Sequence, residues 1–224
     1  MTPDERWLAA AWPFVRENLP APPARVLEIG CGPLGGFVPR LGSGGYAAIG
    51  IDPEAPEKPE YRRVEFERDD SQAHVDAIVA SVSLHHVEDL GVVLDRARAV
   101  LAPAGTLVIV EWARERFDDA TATWCFNRLA PSDDGPGWLQ DCRSEWQASG
   151  EPWGSWIGGW AEQQRLHTGR EILGELDSRF ECGRLEYGAY FFPGLTGVSE
   201  EEEQAAIDGG LISANGIRYV GTLA

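Results

Sequence analysis

Gly30, Gly32 and Gly35 stand in the spacing G-x-G-x-x-G, directly behind the apolar run Val26-Leu27-Glu28-Ile29. Glycine at the first position admits a tight turn, and at the second it lets a ligand approach bare backbone. At the third, Gly35 or Gly36, it lets a helix start close to the strand. Such a turn aims helix N-terminal N–H groups at a nucleotide-type ligand. Asp52 ends the run Ala47-Ala48-Ile49-Gly50-Ile51, where an acid can accept hydrogen bonds from both hydroxyls of a ribose. A second set of residues can move protons. His85 and His86 follow the apolar run 75–82, and Glu111 follows the run 106–110. Imidazole titrates near neutrality and suits deprotonation of a hydroxyl or phenol. Glu111 can orient the imidazole or bind the acceptor. His86 reads as packing at a helix start and His167 as a structural residue.

These residues need a scaffold that brings strand ends together. The order of runs supplies one. An amphipathic helix is expected over 4–18, carrying Trp7, Leu8, Ala11, Trp12 and Val15 at helical spacing around Pro13, and packed on a sheet in preference to roofing a bound ligand. Strand one then leads through the glycines into a short helix, 35–42. Strand two is expected at 46–51, a loop at 53–60, strand three at 61–67, and a turn at 68–71. Val75 to Val82 is nearly all apolar, as in a strand buried on both faces of a parallel sheet. Residues 88–100 repeat apolar positions at helical spacing, 103–105 make a turn, and 106–110 form strand five. Strands alternating with helices imply a doubly wound α/β sheet, with its ligand crevice beyond the carboxyl ends of the strands.

From Trp112 to Trp160 the texture changes, with seven of the nine tryptophans in that stretch. It reads as a mostly helical lid insertion, 113–166, within a single domain spanning 1–224. Most of its rings are expected to form its own core, and two or three to line a pocket. Thr168 and Glu171 make a capping box for a helix ending near Ser178. Long strands follow at 180–192 and 216–223, with the acidic run 200–203 between them as a solvated helix start or loop.

Composition narrows the partners. Asp plus Glu number 36 against 19 Lys plus Arg, a formal net charge of −17. Such a chain repels phosphate backbones and anionic lipid, which argues against nucleic acid or membrane as the main partner. Cys31, Cys125, Cys142 and Cys182 show no zinc spacing, so reduced thiols, a cytoplasmic location and no metal are expected. No signal peptide and no membrane-spanning run are visible. Oligomeric state is open, a homodimer included.

Three segments, in this order and spacing, resemble class I S-adenosylmethionine-dependent methyltransferases acting on small molecules: Val26-Leu27-Glu28-Ile29-Gly30-Cys31-Gly32-Pro33, the stretch from Asp76 to Asp89 containing Ser83-Leu84-His85-His86, and the stretch from Leu101 to Glu111. The resemblance covers 24–112 in detail and 168–224 in topology. It implies a Rossmann-like seven-stranded sheet, mostly parallel with an antiparallel last strand. It implies S-adenosyl-L-methionine as cofactor and S-adenosyl-L-homocysteine as product. By position it assigns Glu28, Gly30, Cys31 and Gly32 to the methionine end, and Asp52 with Pro53 to the ribose. Asp69, with Asp70 close behind, goes to the adenine, and Ser81 and Leu84 pass beside the sulfur. The acceptor is expected to be a small apolar or aromatic molecule gripped by the tryptophan-rich lid, with oxygen favoured as nucleophile and His85 and Glu111 as the catalytic pair. A dinucleotide-binding oxidoreductase shares the glycine turn and the second-strand acid, but does not predict the Leu84-His85-His86 segment. Two further readings keep the cofactor: a cyclisation or rearrangement without methyl transfer, and a non-catalytic binding subunit.

Overall fold

The computed structural model describes residues 1–70, 73–129 and 137–224. Helix α1 (Pro3–Glu17) begins in a reciprocal cap, in which Glu5 N–H donates to Thr2 Oγ1 and Thr2 N–H to the Glu5 carboxylate. After it come β1 (Arg25–Ile29), α2 (Val38–Ser43), β2 (Ala47–Ile51), β3 (Tyr61–Arg62), β4 (Val75–Ser81), α3 (Leu90–Val100) and β5 (Leu101–Trp112). The cap helices α4 (Asp119–Phe126), α5 (Trp138–Ser149) and α6 (Trp153–Gln163) follow. The chain then closes with α7 (Gly169–Asp177), β6 (Phe180–Gly188), α8 (Glu200–Asp208) and β7 (Gly216–Leu223).

The strands form one sheet in the order β3-β2-β1-β4-β5-β7-β6. Neighbours from β3 through β5 pair in parallel, and β7 runs antiparallel to both β5 and β6. Winding outward from β1 to β3 and then returning to β4 puts the switch point between β1 and β4, where a crevice opens beyond the strand ends. Alternate side chains of each strand serve opposite faces. Leu27, Ile29, Ile78, Ala80, Leu107 and Ile109 meet α3 and α7. Val26, Ala77, Val79, Val108 and Val110 meet Ala11, Phe14 and Val15 of α1, with Phe37 and Leu41. Burial on both faces is why β1 and β4 read as unbroken apolar runs.

Several local expectations change. Strand three stops at Arg62, because Phe66 turns into the core on a single 3-10 turn, Phe66–Arg68; Ser71 of the expected turn lies outside the described residues. The 103–105 turn is absorbed into β5. Val75 pairs with Leu101 and Ala77 with Thr106, so extra residues bulge out of the ladder between them. Strand six ends at Gly188 rather than at 192. The backbone N–H groups of Tyr190, Phe191 and Phe192 leave the ladder and donate to Glu203 at 2.6–3.0 Å. Glu203 is therefore fully buried, while the rest of its acidic run starts α8 in a capping box, Ser199 with Glu202. The tryptophan-rich insertion is helical. Trp153, Phe117, Phe126, Leu139 and Ile157 make a core separate from that of the sheet, joined by Trp112, Phe191 and Phe192. Residues 130–136 of the insertion lie outside the described residues. No described helix is long and apolar enough to cross a membrane.

Candidate active site

The turn between β1 and α2 is built from backbone. Gly30, Gly32, Gly35 and Gly36 all have positive φ, a region that side chains rarely tolerate. Gly30 (φ 75°) is constrained from outside, since a Cβ there would lie 2.2 Å from Ser83 Cβ. Gly32 (φ 62°) is the opposite case. Nothing lies within 4 Å of the place its Cβ would take, so its bare backbone faces open space. Asp52 reaches across from the end of β2. Its Oδ2 accepts the Gly32 N–H at 3.0 Å and its Oδ1 the Glu54 N–H at 2.7 Å, while Pro53 is exposed. Cys31 is buried, and burial first, then Glu28 and Asp52, pushes its thiol up to about 12. A thiol so held packs rather than reacts.

Glu28 lies beneath this turn. It is 1% exposed, and its carboxylate accepts Phe37 N–H at 2.8 and 3.0 Å and Val38 N–H at 3.1 Å, which caps α2. Burial pushes its carboxyl up to about 8, against the pull of those N–H groups. Asp69 is also buried. Arg62 Nη1 meets its two oxygens at 2.9 and 3.1 Å, and Arg96 of α3 approaches to 3.6 Å. These contacts tie Asp69 to the side of the sheet near α3; Asp70 beside it is exposed.

The ends of β4 and β5 are built from side chains. Val82, directly after β4, has φ 54°, an outlier for a β-branched residue. It swings the chain so that Ser83 Oγ donates to Ile29 O at 3.0 Å and the next 3-10 turn, Leu84–His86, faces Glu111. Glu111, with no exposed surface, is saturated. Oε1 accepts Leu84 N–H at 2.7 Å and His85 N–H at 3.3 Å; Oε2 accepts Trp112 N–H at 2.6 Å and lies 2.7 Å from His85 Nδ1. Burial pushes this carboxyl up, but the His85 imidazole and the converging N–H groups outweigh it, and the carboxyl sits below the usual range. Glu111 thus orients His85 and has no lone pair left for an acceptor. His85 is buried; its ring touches His86 at 4.1 Å and stands edge-on to Trp112 at 5.9 Å. His86 itself is exposed. His167 bridges cap and sheet, with its N–H donating to His85 O and its Nε2 2.9 Å from Val87 O.

Rings from three distant segments complete this end. Trp112 stacks on Tyr190 at 5.7 Å and 6°, and Tyr190 meets Trp7 of α1 at 5.2 Å. The Trp7 indole N–H donates to Ser81 Oγ at 3.1 Å. Arg6 fixes this helix by donating to the carbonyls of Pro193, Leu195 and Val198. Leu84, in contrast, is wholly inside the core. The structure therefore brings Gly30, Gly32, Asp52, Ser81, His85 and Glu111 to the carboxyl edge of the sheet. Sequence reasoning missed Trp112 and Tyr190 as site residues, and it favoured packing over roofing for the helix that carries Trp7. For Trp112 the available signal was the tryptophan density that begins with it; Tyr190 carried none. Among the described residues no group of three or more His, Cys, Asp or Glu side chains is placed to hold a metal ion.

Comparison with known proteins bears on the family and the fold. A family model described as a methyltransferase domain matches residues 5–166, and the chain belongs to that family. Its fold is shared with S-adenosylmethionine-dependent methyltransferases of known structure. Among curated proteins it is similar to the 2-ketoarginine methyltransferase of Streptomyces arginensis, 37% identical over 123 residues. That match covers 45% of this chain and 36% of the relative, so the chain aligns with about a third of that protein's length. Among solved structures, an S-adenosylmethionine-dependent methyltransferase from Mesorhizobium loti superposes with a TM-score of 0.56 at 20% identity, covering 95% of this chain and 97% of that one. The N-methyltransferase NodS of Bradyrhizobium japonicum, in complex with S-adenosyl-L-homocysteine, gives 0.53 at 15% identity, covering 99% and 88%.

Proposed function

We propose that the protein methylates a hydroxyl of a small acceptor that carries a flat, apolar body, with His85 as general base. The observation that carries this reading is the buried His85–Glu111 pair at the tips of β4 and β5. A carboxylate 2.7 Å from Nδ1 holds the proton on that nitrogen and leaves Nε2 as the lone pair, the arrangement of an oriented base. The cofactor supplies, when bound, an electrophilic methyl group. Bare backbone at Gly32 gives it room, Gly30 lets the turn pack on Ser83, and Asp52 holds its sugar. Glu28 and Cys31 serve by keeping the turn in shape from below. The aromatic roof of Trp7, Trp112 and Tyr190 aligns the acceptor and excludes water. Alignment alone is worth about 7–11 kcal/mol of barrier, and a positioned base adds about a hundred- to ten-thousand-fold. The relative named for 2-ketoarginine supports a small-molecule acceptor. Four free cysteines support a reducing, cytoplasmic setting.

Two measurements test the reading. Product mass is expected to rise by one CH2 per turnover; an isomer of unchanged mass would instead mean cofactor-assisted rearrangement. Asp52→Ala is expected to weaken S-adenosylhomocysteine binding by about tenfold or more in isothermal titration, and unchanged affinity would refute the cofactor placement.

A further inference from the structure

Trp112 follows Glu111 in the chain and is 3% exposed, yet its indole Nε1 has no hydrogen-bond partner. Its backbone N–H is already used on Glu111. The other indole buried to this degree is satisfied, since Trp153 Nε1 donates to Phe117 O at 2.7 Å. An unmet buried N–H costs about 1–3 kcal/mol, so a fold that keeps one has a reason at that place. The reason is next to it. His85 Nδ1 is taken by Glu111, and Nε2 has no hydrogen bond to any described residue. A donor without an acceptor and an acceptor without a donor thus sit on adjoining rings at one strand tip. A hydroxyl has what both lack, a proton for Nε2 and an oxygen lone pair for the indole N–H.

We infer that Trp112 Nε1 and His85 Nε2 form the recognition pair for the acceptor, and that they select an acidic hydroxyl on a flat unsaturated carbon, a phenol or the enol of a 2-oxo acid. This rests on the methyltransferase reading above. The Trp112 ring, stacked on Tyr190 at 6° from parallel, presents a flat aromatic surface beside the pair, and a planar body matches such a surface better than a saturated one. When the proton moves to Nε2 the electron pair stays on oxygen. The resulting charge faces an N–H in a water-poor site, where such a contact is strongest. Trp112 is therefore a residue that touches the reacting oxygen, and Glu111 acts only through His85.

The test uses protein loaded with S-adenosylhomocysteine and two hydroxyl probes, 4-nitrophenol and phenylpyruvate, with nitrobenzene as the control lacking a hydroxyl. In isothermal titration at least one hydroxyl probe is expected to bind about tenfold or more tighter than nitrobenzene, and which one binds distinguishes phenol from enol. Trp112→Phe keeps a ring in place and is expected to erase that preference while leaving S-adenosylhomocysteine affinity intact. In 15N spectra the indole resonance lost in that variant is expected to move when the probe is added. If Trp112→Phe does not fold, His85→Gln removes the other half of the pair and is expected to erase the same preference. Equal binding of all three probes, or an unmoved indole resonance, overturns the inference. Failure of S-adenosylhomocysteine itself to bind would overturn the reading beneath it as well.

Discussion

Two buried glutamates, one at each half of the crevice, respond to burial in opposite ways. Glu28 beneath the glycine turn has only backbone N–H dipoles for partners, and burial carries its carboxyl up to about 8. Glu111 at the tip of β5 is at least as deeply buried, but it has an imidazole as well as N–H groups, and its carboxyl is held low. Burial sets the cost of a charge, while the partner decides whether that charge is kept. The same division runs through the whole edge. The half at the glycine turn is shaped mainly by backbone. The half at the tips of β4 and β5 is a carboxylate hydrogen-bonded to an imidazole inside a wall of rings.

Four experiments press on this contrast. Glu111→Gln is expected to have the largest effect. One amide oxygen cannot accept what two carboxylate oxygens accept, and the loss is expected to be about 3–5 kcal/mol at neutral pH in chemical denaturation. The held-down carboxyl contributes its stability above the ordinary glutamate range, and that contribution disappears as pH falls. The gap between wild type and variant is therefore expected to narrow in acid. A gap independent of pH would mean that the pair matters for shape alone.

Gly30→Ala comes next. A Cβ placed 2.2 Å from Ser83 at φ 75° is expected to cost about 2–4 kcal/mol, read as a lower melting temperature, with loss of S-adenosylhomocysteine binding. Glu28→Gln probes the opposite sign. The stability contributed by this raised carboxyl is complete below its unfolded value of 4.5 and is lost as pH climbs through about 8. The variant is expected to lack the decline between pH 4.5 and about 8. A parallel pH profile would show Glu28 charged in the fold. Gly32→Ala is expected to move stability least, by about 1 kcal/mol for the left-handed backbone, because its Cβ meets nothing. It is expected to weaken S-adenosylhomocysteine, since that Cβ enters the cradle. If Gly30→Ala and Gly32→Ala lose stability equally, the assignment of one glycine to packing and the other to ligand fails.

The two halves also differed in how far the sequence disclosed them. The glycine spacing, the strand-two acid, the Thr168 capping box and the apolar runs are local patterns, and each lies where its pattern predicts. Asp69 shows where pattern stops. Its type and position suit an adenine contact, but its ion pairs with Arg62 and Arg96 are not local and depend on how β3 and α3 pack. Tyr190 was read as strand because nothing local marks a break. The break comes from Glu203, thirteen residues later, drawing off three backbone N–H groups. Trp112 carried a composition signal only; its orphaned N–H exists because of what surrounds it. Side-chain sites assembled from α1, β5 and the stretch after β6 are properties of the tertiary arrangement, and periodicity does not encode them.

Val82 sets a limit on how sturdy this enzyme can be. Holding a β-branched residue at φ 54° costs about 1–3 kcal/mol, and Val82→Gly would release it. The released chain would also be free to rotate, and the aim of Ser83 and His85 rests on that one kink. A screen that selects only for heat resistance would tend to erase the kink and return a tougher, slower protein, so thermostability and turnover in this molecule have to be selected together.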